Sequence, residues 1–240
     1  MIKTRLHSIE TFGAVDGPGI RTIFFLQGCP ARCIYCHNPD TWKVGGGESD
    51  ITPEEVLQVA SRSVNYYGSE GGVTFSGGEP LIHGEFVLAT MRLLKENGIK
   101  SLVDTSGTYY DEYTKDIFKE CQVVLLDIKH SNPEKFHDIC KCDFDKLLKV
   151  MDIANEVNAP VWVRQVIVPG INDTEENVID LANFIKSHIN NVYKAELLGY
   201  HTLALDKYKK LEMTYPLDGV KAMDKERLKE LDVILQENLK

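Results

Sequence analysis

Val123-Val124-Leu125-Leu126-Asp127-Ile128-Lys129 decides the fold. Its four leading apolar residues lack the polar alternation of a half-exposed strand. Both faces are therefore expected to be buried, as in parallel sheets covered by helices. Asp127 and Lys129 then share one strand face by the period of two. Working outward, further candidate strands run over Ile20–Gln27, Val73–Phe75, Ser101–Asp104, Val161–Val168 and Ala195–Leu198. Amphipathic segments near Pro53–Tyr67, Glu85–Asn97, Asp111–Glu120, Phe144–Asn158, Thr174–Ser187 and Lys225–Glu237 separate or follow them. Thr52-Pro53-Glu54-Glu55 forms a capping box with proline at the first helical position, and Asn97-Gly98 closes the next helix. Strands joined by crossover helices pair in parallel. The expected fold class is α/β, an incomplete TIM-type barrel of about (β/α)6 with outer helices; a complete barrel has eight such units.

The 240 residues fit one domain, 1–240, with a C-terminal helix near 224–238. No apolar run reaches the roughly 18 residues of a membrane span, and Met1-Ile2-Lys3-Thr4-Arg5-Leu6-His7 lacks the core of a secretion signal, so a cytoplasmic location is expected. With 36 acidic against 27 basic residues, the net charge of −9 disfavours nucleic acid and anionic membranes as partners. In a reducing compartment the six cysteines serve ligation or reactivity rather than a disulfide framework.

Three of them lie in Gly28-Cys29-Pro30-Ala31-Arg32-Cys33-Ile34-Tyr35-Cys36-His37-Asn38, directly after the first candidate strand. Such a loop can wrap a cubane and supply three thiolates. A four-iron cluster needs four ligands, so one iron is left for an outside donor. Other uses compete. Cys33-Ile34-Tyr35-Cys36-His37 matches a c-type haem attachment, which leaves Cys29 without a role. Structural zinc would need a fourth ligand, which His37, adjacent to Cys36, is poorly placed to provide. Plain buried thiols are common singly, not as a triplet in a Gly/Pro loop.

The spacing Cys29-x3-Cys33-x2-Cys36, with Tyr35 before the last cysteine, resembles the radical S-adenosylmethionine (SAM) superfamily. Ser76-Gly77-Gly78-Glu79-Pro80, at the end of the second candidate strand, looks like its glycine-glycine-glutamate segment. Asp16-Gly17-Pro18-Gly19-Ile20-Arg21, together with Asp40-Thr41-Trp42, Val168-Pro169-Gly170 and Leu197-Leu198-Gly199-Tyr200-His201, is similar to the glycyl-radical-enzyme activases within it. Pro80 replaces an alanine common among activases. The interval from Cys36 to Ser76 holds no cysteine, so the ferredoxin-like insert of many activases is missing.

The resemblance implies a [4Fe-4S] cluster on Cys29, Cys33 and Cys36, and S-adenosyl-L-methionine chelating its free iron. Reductive cleavage then gives a 5'-deoxyadenosyl radical that takes hydrogen from a glycine of a partner. For this compact form the implied partner is pyruvate formate-lyase, with flavodoxin or ferredoxin as electron donor. It further implies S-adenosylmethionine contacts from Tyr35, Cys36, His37, Gly77, Gly78, Glu79, Asp127, Ile128, Lys129 and His201. The glycines would let backbone approach the ligand. Asp104, Thr105, Asp127 and the Leu125 carbonyl are the implied donors to a monovalent cation, Na+ or K+. Arg164, inside an apolar strand, needs a polar partner: the cofactor, the glycine loop or a salt bridge. Cys121, Cys140 and Cys142 are read as structural, since Cys140-Lys141-Cys142 alone cannot close a cubane. Two other functions are weighed: radical chemistry on a small molecule, as in the deazapurine-forming relatives, and a noncatalytic metal scaffold.

Overall fold

A computed structural model of the chain describes residues 2–47 and 49–240. In chain order the first half comprises β1 (Thr4–Gly13), β2 (Arg21–Leu26), β3 (Ser49–Ile51), α1 (Pro53–Ser61), α2 (Val64–Tyr67), β4 (Gly72–Gly77), α3 (Gly84–Glu96), β5 (Lys100–Thr105) and α4 (Thr114–Glu120). There follow β6 (Val124–Asp127), α5 (Pro133–Cys140), α6 (Phe144–Glu156), β7 (Val161–Ile167), α7 (Glu175–His188), β8 (Val192–Gly199), α8 (Leu205–Lys210) and α9 (Lys225–Leu239). All strands join one sheet, ordered β3-β1-β2-β4-β5-β6-β7-β8. From β2 to β8 every pairing is parallel, which makes the six expected units. The sheet stays open, with β3 at one edge and β8 at the other.

The expectation needs correcting at that first edge, where β1 pairs antiparallel with both β2 and β3. Most of β1 is solvent-facing, so it carries no apolar run to announce it. Thr52 and Glu55 do close the capping box that starts α1. The single helix expected over Pro53–Tyr67 divides into α1 and α2 around Arg62 and Ser63. Asn132 caps α5 by accepting from the Lys135 N–H, with Pro133 at the first position; this helix was not expected from the sequence. None of the described helices is long and apolar enough to cross a membrane.

The two faces of β6 settle into separate cores. Val124 and Leu126 join the main apolar cluster, packed with residues of the outer helices. Leu125 instead meets Leu102, Val123 and Trp162 in a small cluster on the inner face. By the period of two, the next inward residues of β5, β6 and β7 are Asp104, Asp127 and Arg164. The barrel interior is thus apolar in its lower layer and charged towards the C-terminal strand ends, where sites form in this architecture.

Candidate active site

The thiol loop, residues 28–38, leaves the C-terminal end of β2 and is held by its backbone. Gly28 N–H donates to Thr41 O at 2.7 Å and Cys29 N–H to Trp42 O at 3.3 Å. Arg32 N–H reaches Cys140 O at 2.8 Å, and Ile34 N–H reaches Ile139 O at 2.9 Å. The Arg32 guanidinium folds back on the Cys29 and Ala31 carbonyls, 2.8 Å from each. With the main chain so fixed, Cys29, Cys33 and Cys36 all line one cavity of about 480 Å³. That size suits a cofactor-scale ligand. Burial raises all three thiols, Cys33 to about 12. Thiolates there need an added positive charge.

Gly77 and Gly78 form the neighbouring wall. Gly77 sits at φ +113°, and a Cβ on Gly78 would stand 2.0 Å from the Gly28 carbonyl oxygen. No side chain fits between the two loops. Glu79 faces away from the cavity. Its N–H donates to Gly28 O at 2.8 Å, and its buried carboxylate accepts from Thr105 Oγ1 and Ser106 Oγ, both at 2.7 Å, from Ser106 N–H at 3.0 Å and from Leu81 N–H at 3.2 Å. Burial nevertheless raises its pKa. Glu79 therefore ties the glycine segment to the end of β5.

The charged layer is balanced internally. Arg164 Nη2 lies 2.5 Å from Asp104 Oδ1, its Nε lies 2.8 Å from Asp127 Oδ1, and Lys129 Nζ lies 3.3 Å from Asp127 Oδ2. Burial works to raise Asp127, but the Arg164 and Lys129 charges overcome it and hold the carboxyl below its ordinary value. Asp104 has one cation and the Ser76 hydroxyl, so burial prevails and its pKa rises. Burial opposes the Lys129 charge too, yet Asp127 keeps it well above the usual lysine value.

His37 and His201 line the cavity with rings stacked 3.9 Å apart. Burial, then the His201 ring, lowers His37 to about 4, so it is neutral near pH 7. Lys129 Nζ stands 5.8 Å from the Tyr35 ring centroid. Two buried polar atoms, Tyr35 Oη and His201 Nδ1, have no hydrogen-bond partner among the described residues. Such atoms in a cavity wall await a ligand or water.

Of the expected site residues, Cys29, Cys33, Tyr35, Cys36, His37, Gly77, Gly78, Asp104, Thr105, Asp127, Lys129 and His201 line this one cavity. Glu79, Leu125, Ile128 and Arg164 stand behind its wall. Ile128 N–H donates to Arg164 O at 2.9 Å, and Leu125 belongs to the inner apolar cluster. The oxygens expected to bind a cation already have partners: Asp104 and Asp127 hold Arg164, and the Thr105 hydroxyl donates to Glu79. The cavity adds Ser106, which no motif marked, and Asp16, Trp42 and Ser76, which stood in the quoted motifs without being expected as site residues. Burial, then Asp104, pushes Asp16 up to about 6. No three of the described His, Cys, Asp or Glu side chains converge as a set for a single metal ion.

Comparison with known proteins agrees with this geometry. The family model described as "Radical SAM superfamily" matches residues 23–182, which include the thiol loop, the glycine segment and the charged layer. A pyruvate formate-lyase-activating enzyme of Clostridium pasteurianum is 48% identical over 243 residues, covering 100% of both chains. This chain belongs to the radical SAM superfamily, among its pyruvate formate-lyase-activating enzymes. A second member of that family, from Staphylococcus epidermidis, is 40% identical over 96% of this chain and 94% of its own. Streptococcus suis SuiB, solved with its precursor peptide SuiA, superposes with a TM-score of 0.68 at 15% identity, covering 90% of this chain and 44% of that one. The last likeness concerns the fold, an open α/β sheet of radical SAM type. For a family that uses a [4Fe-4S] cluster and S-adenosylmethionine, three thiols, a glycine wall and orphaned polar atoms in one cavity are a fitting set.

Proposed function

We propose that this chain activates a glycyl radical enzyme, pyruvate formate-lyase, by installing a radical on one of its glycines. The observation that carries the reading is the meeting of Cys29, Cys33 and Cys36 with Gly77, Gly78, Lys129 and His201 around one cavity. Cys29, Cys33 and Cys36 would hold a [4Fe-4S] cluster and leave one iron without a protein thiolate. The two cofactors, when bound, supply one-electron reductive cleavage of a sulfur–carbon bond and the carbon radical that takes a hydrogen atom from the partner's glycine.

The chain's own residues bind, orient and exclude water. The Gly77–Gly78 backbone offers a wall without side chains for the amino-acid end of S-adenosylmethionine. Asp127 and Lys129, with Ile128 between them, present an ionised pair at the strand end, and Arg164 sets the Asp127 carboxylate from behind. Neutral His37 and the His201 ring form one stacked wall of the cavity, with the His201 Nδ1 available as a hydrogen-bonding atom. A monovalent cation at Asp104, Thr105, Asp127 and the Leu125 carbonyl would share both carboxylates with Arg164. Flavodoxin or ferredoxin is the proposed reductant.

Anaerobic reconstitution with iron and sulfide, followed by paramagnetic resonance, tests this reading. A reduced [4Fe-4S] signal that changes on addition of S-adenosylmethionine is expected, followed by a glycyl signal once pyruvate formate-lyase is present. A cluster indifferent to S-adenosylmethionine breaks the radical assignment. Radical cleavage without a glycyl signal moves the substrate to a small molecule.

A further inference from the structure

Cys140 and Cys142, which the site does not use, stand directly behind the thiol loop. Cys140 is the last residue of α5 and Cys142 lies on the link to α6, both buried beside the exposed Lys141 and Asp143. Lys141 takes the left-handed conformation, φ +60°, which ends the helix and folds Cys142 back towards Cys140. The two thiol side chains hydrogen-bond each other, and the Cys142 N–H also donates to the Cys140 sulfur. Two routes lead from this pair to the cavity. On one, the Cys140 carbonyl accepts from the Arg32 N–H of the thiol loop at 2.8 Å. On the other, Cys142 shares a hydrogen bond with the Thr108 hydroxyl, which meets Ser106 Oγ at 2.7 Å. Ser106 in turn donates to Glu79, the tie of the glycine segment.

We propose that Cys140 and Cys142 are a redox-active dithiol that exchanges with low-molecular-weight disulfides such as oxidised glutathione, and that its closure loosens the thiol loop's hold on iron. The consequence for iron rests on the function proposed above; the dithiol itself does not. The Cys142 thiolate attacks one sulfur of the small disulfide and releases one small thiolate, and Cys140 then displaces the second. One sulfur–sulfur bond breaks and one forms. The protein gives up two electrons and two protons, and the small disulfide leaves as two thiols. Thr108 and the Lys146 ammonium, both beside Cys142, favour the attacking thiolate. The new bond closes a tight ring that contains the Cys140 carbonyl carbon, so the acceptor of the Arg32 N–H turns with it. It also removes the S–H that Cys140 donates to Phe136 O at 3.1 Å and draws Cys142 away from Thr108. Both routes to the cavity are disturbed by one bond.

The test equilibrates the full chain anaerobically with glutathione buffers of rising oxidised fraction and maps its thiols by differential alkylation and mass spectrometry. Cys140 and Cys142 should be found joined to each other. In the reconstituted protein the same oxidation should speed iron release to a chelator about tenfold, the low end of what disturbing the groups behind metal ligands costs. Cys142→Ser and Cys140→Ser, which cannot close the bond, should release iron at one rate in reducing and oxidising buffer, and dithiothreitol should return the parent to its reduced rate. Both thiols staying free in the most oxidising buffer, or pairing with Cys33 instead, overturns the dithiol. Equal iron release from the oxidised parent and Cys142→Ser overturns its link to the loop. If the parent takes up no iron on reconstitution, the function proposed above fails, and the thiol map of the metal-free chain still decides the dithiol.

Discussion

The thiol loop and the charged layer share one cavity wall and solve opposite problems. In the charged layer the half-buried Asp104 and Asp127 carboxyls are met by the buried Arg164 and Lys129, so two acidic groups face two cations within the chain. In the thiol loop the backbone is anchored through the N–H groups of Gly28, Cys29, Arg32 and Ile34, while Cys29 and Cys33 are buried, Cys36 is half-buried and burial raises all three thiols. One region is complete as folded. The other is shaped by the protein but needs a positive charge the protein does not contain. A site built this way is rigid before it is loaded, because its order rests on main-chain bonds rather than on the metal.

Replacing a sulfur of the loop should have the largest effect. Cys33→Ala is expected to abolish iron binding and activation while leaving the melting temperature of the metal-free protein close to the parent's. A large loss of metal-free stability would show that the thiols themselves hold the loop. Arg164→Met attacks the other region and should cost about 3–5 kcal/mol in urea unfolding, because two buried carboxylates lose their shared cation. A change under about 1 kcal/mol would mean that the layer is solvated after all.

A smaller effect depends on pH. Asp16 titrates at about 6 in the folded chain against 3.8 ordinarily, so the folded state prefers its proton. Stability from this group therefore falls as pH rises from about 4 through about 6 and stays reduced above that. Asp16→Asn should match the parent near pH 4 and exceed it by about 1 kcal/mol at pH 8, the partly solvated position discounting the full shift. Parallel pH profiles of parent and variant would remove Asp16 from the charged layer's field. The smallest change is expected for Cys142→Ser, which should keep full iron loading and stability within about 1 kcal/mol. Lost iron would make Cys142 part of the loop's chemistry.

How much was legible follows the same division. The apolar strands announced the six parallel units, because burial on both faces leaves a composition that period and length reveal. β1 escaped since most of its residues face solvent, and α5 escaped although Asn132-Pro133-Glu134 carried a start signal. In the site, the cysteine spacing is local chemistry and was readable. Glu79 as a tie to Thr105 and Ser106 was not, because the partners lie 26 and 27 residues away on the next strand end. The Arg164 partners needed the register of β5, β6 and β7, which only the folded sheet supplies.

The bonds from Arg32 and Ile34 to Cys140 and Ile139 also set a clock on biosynthesis. The loop and the carbonyls that shape it are separated by about a hundred residues, some 5–20 seconds of translation at typical speeds. Until α5 has left the ribosome and folded, the nascent thiols sit on a loop that lacks two of its anchors. Iron delivered during that interval would meet a flexible chelator open to any soft metal. Cluster assembly is therefore favoured once α5 has folded against the loop, when the chain presents a finished mould to whatever machinery fills it.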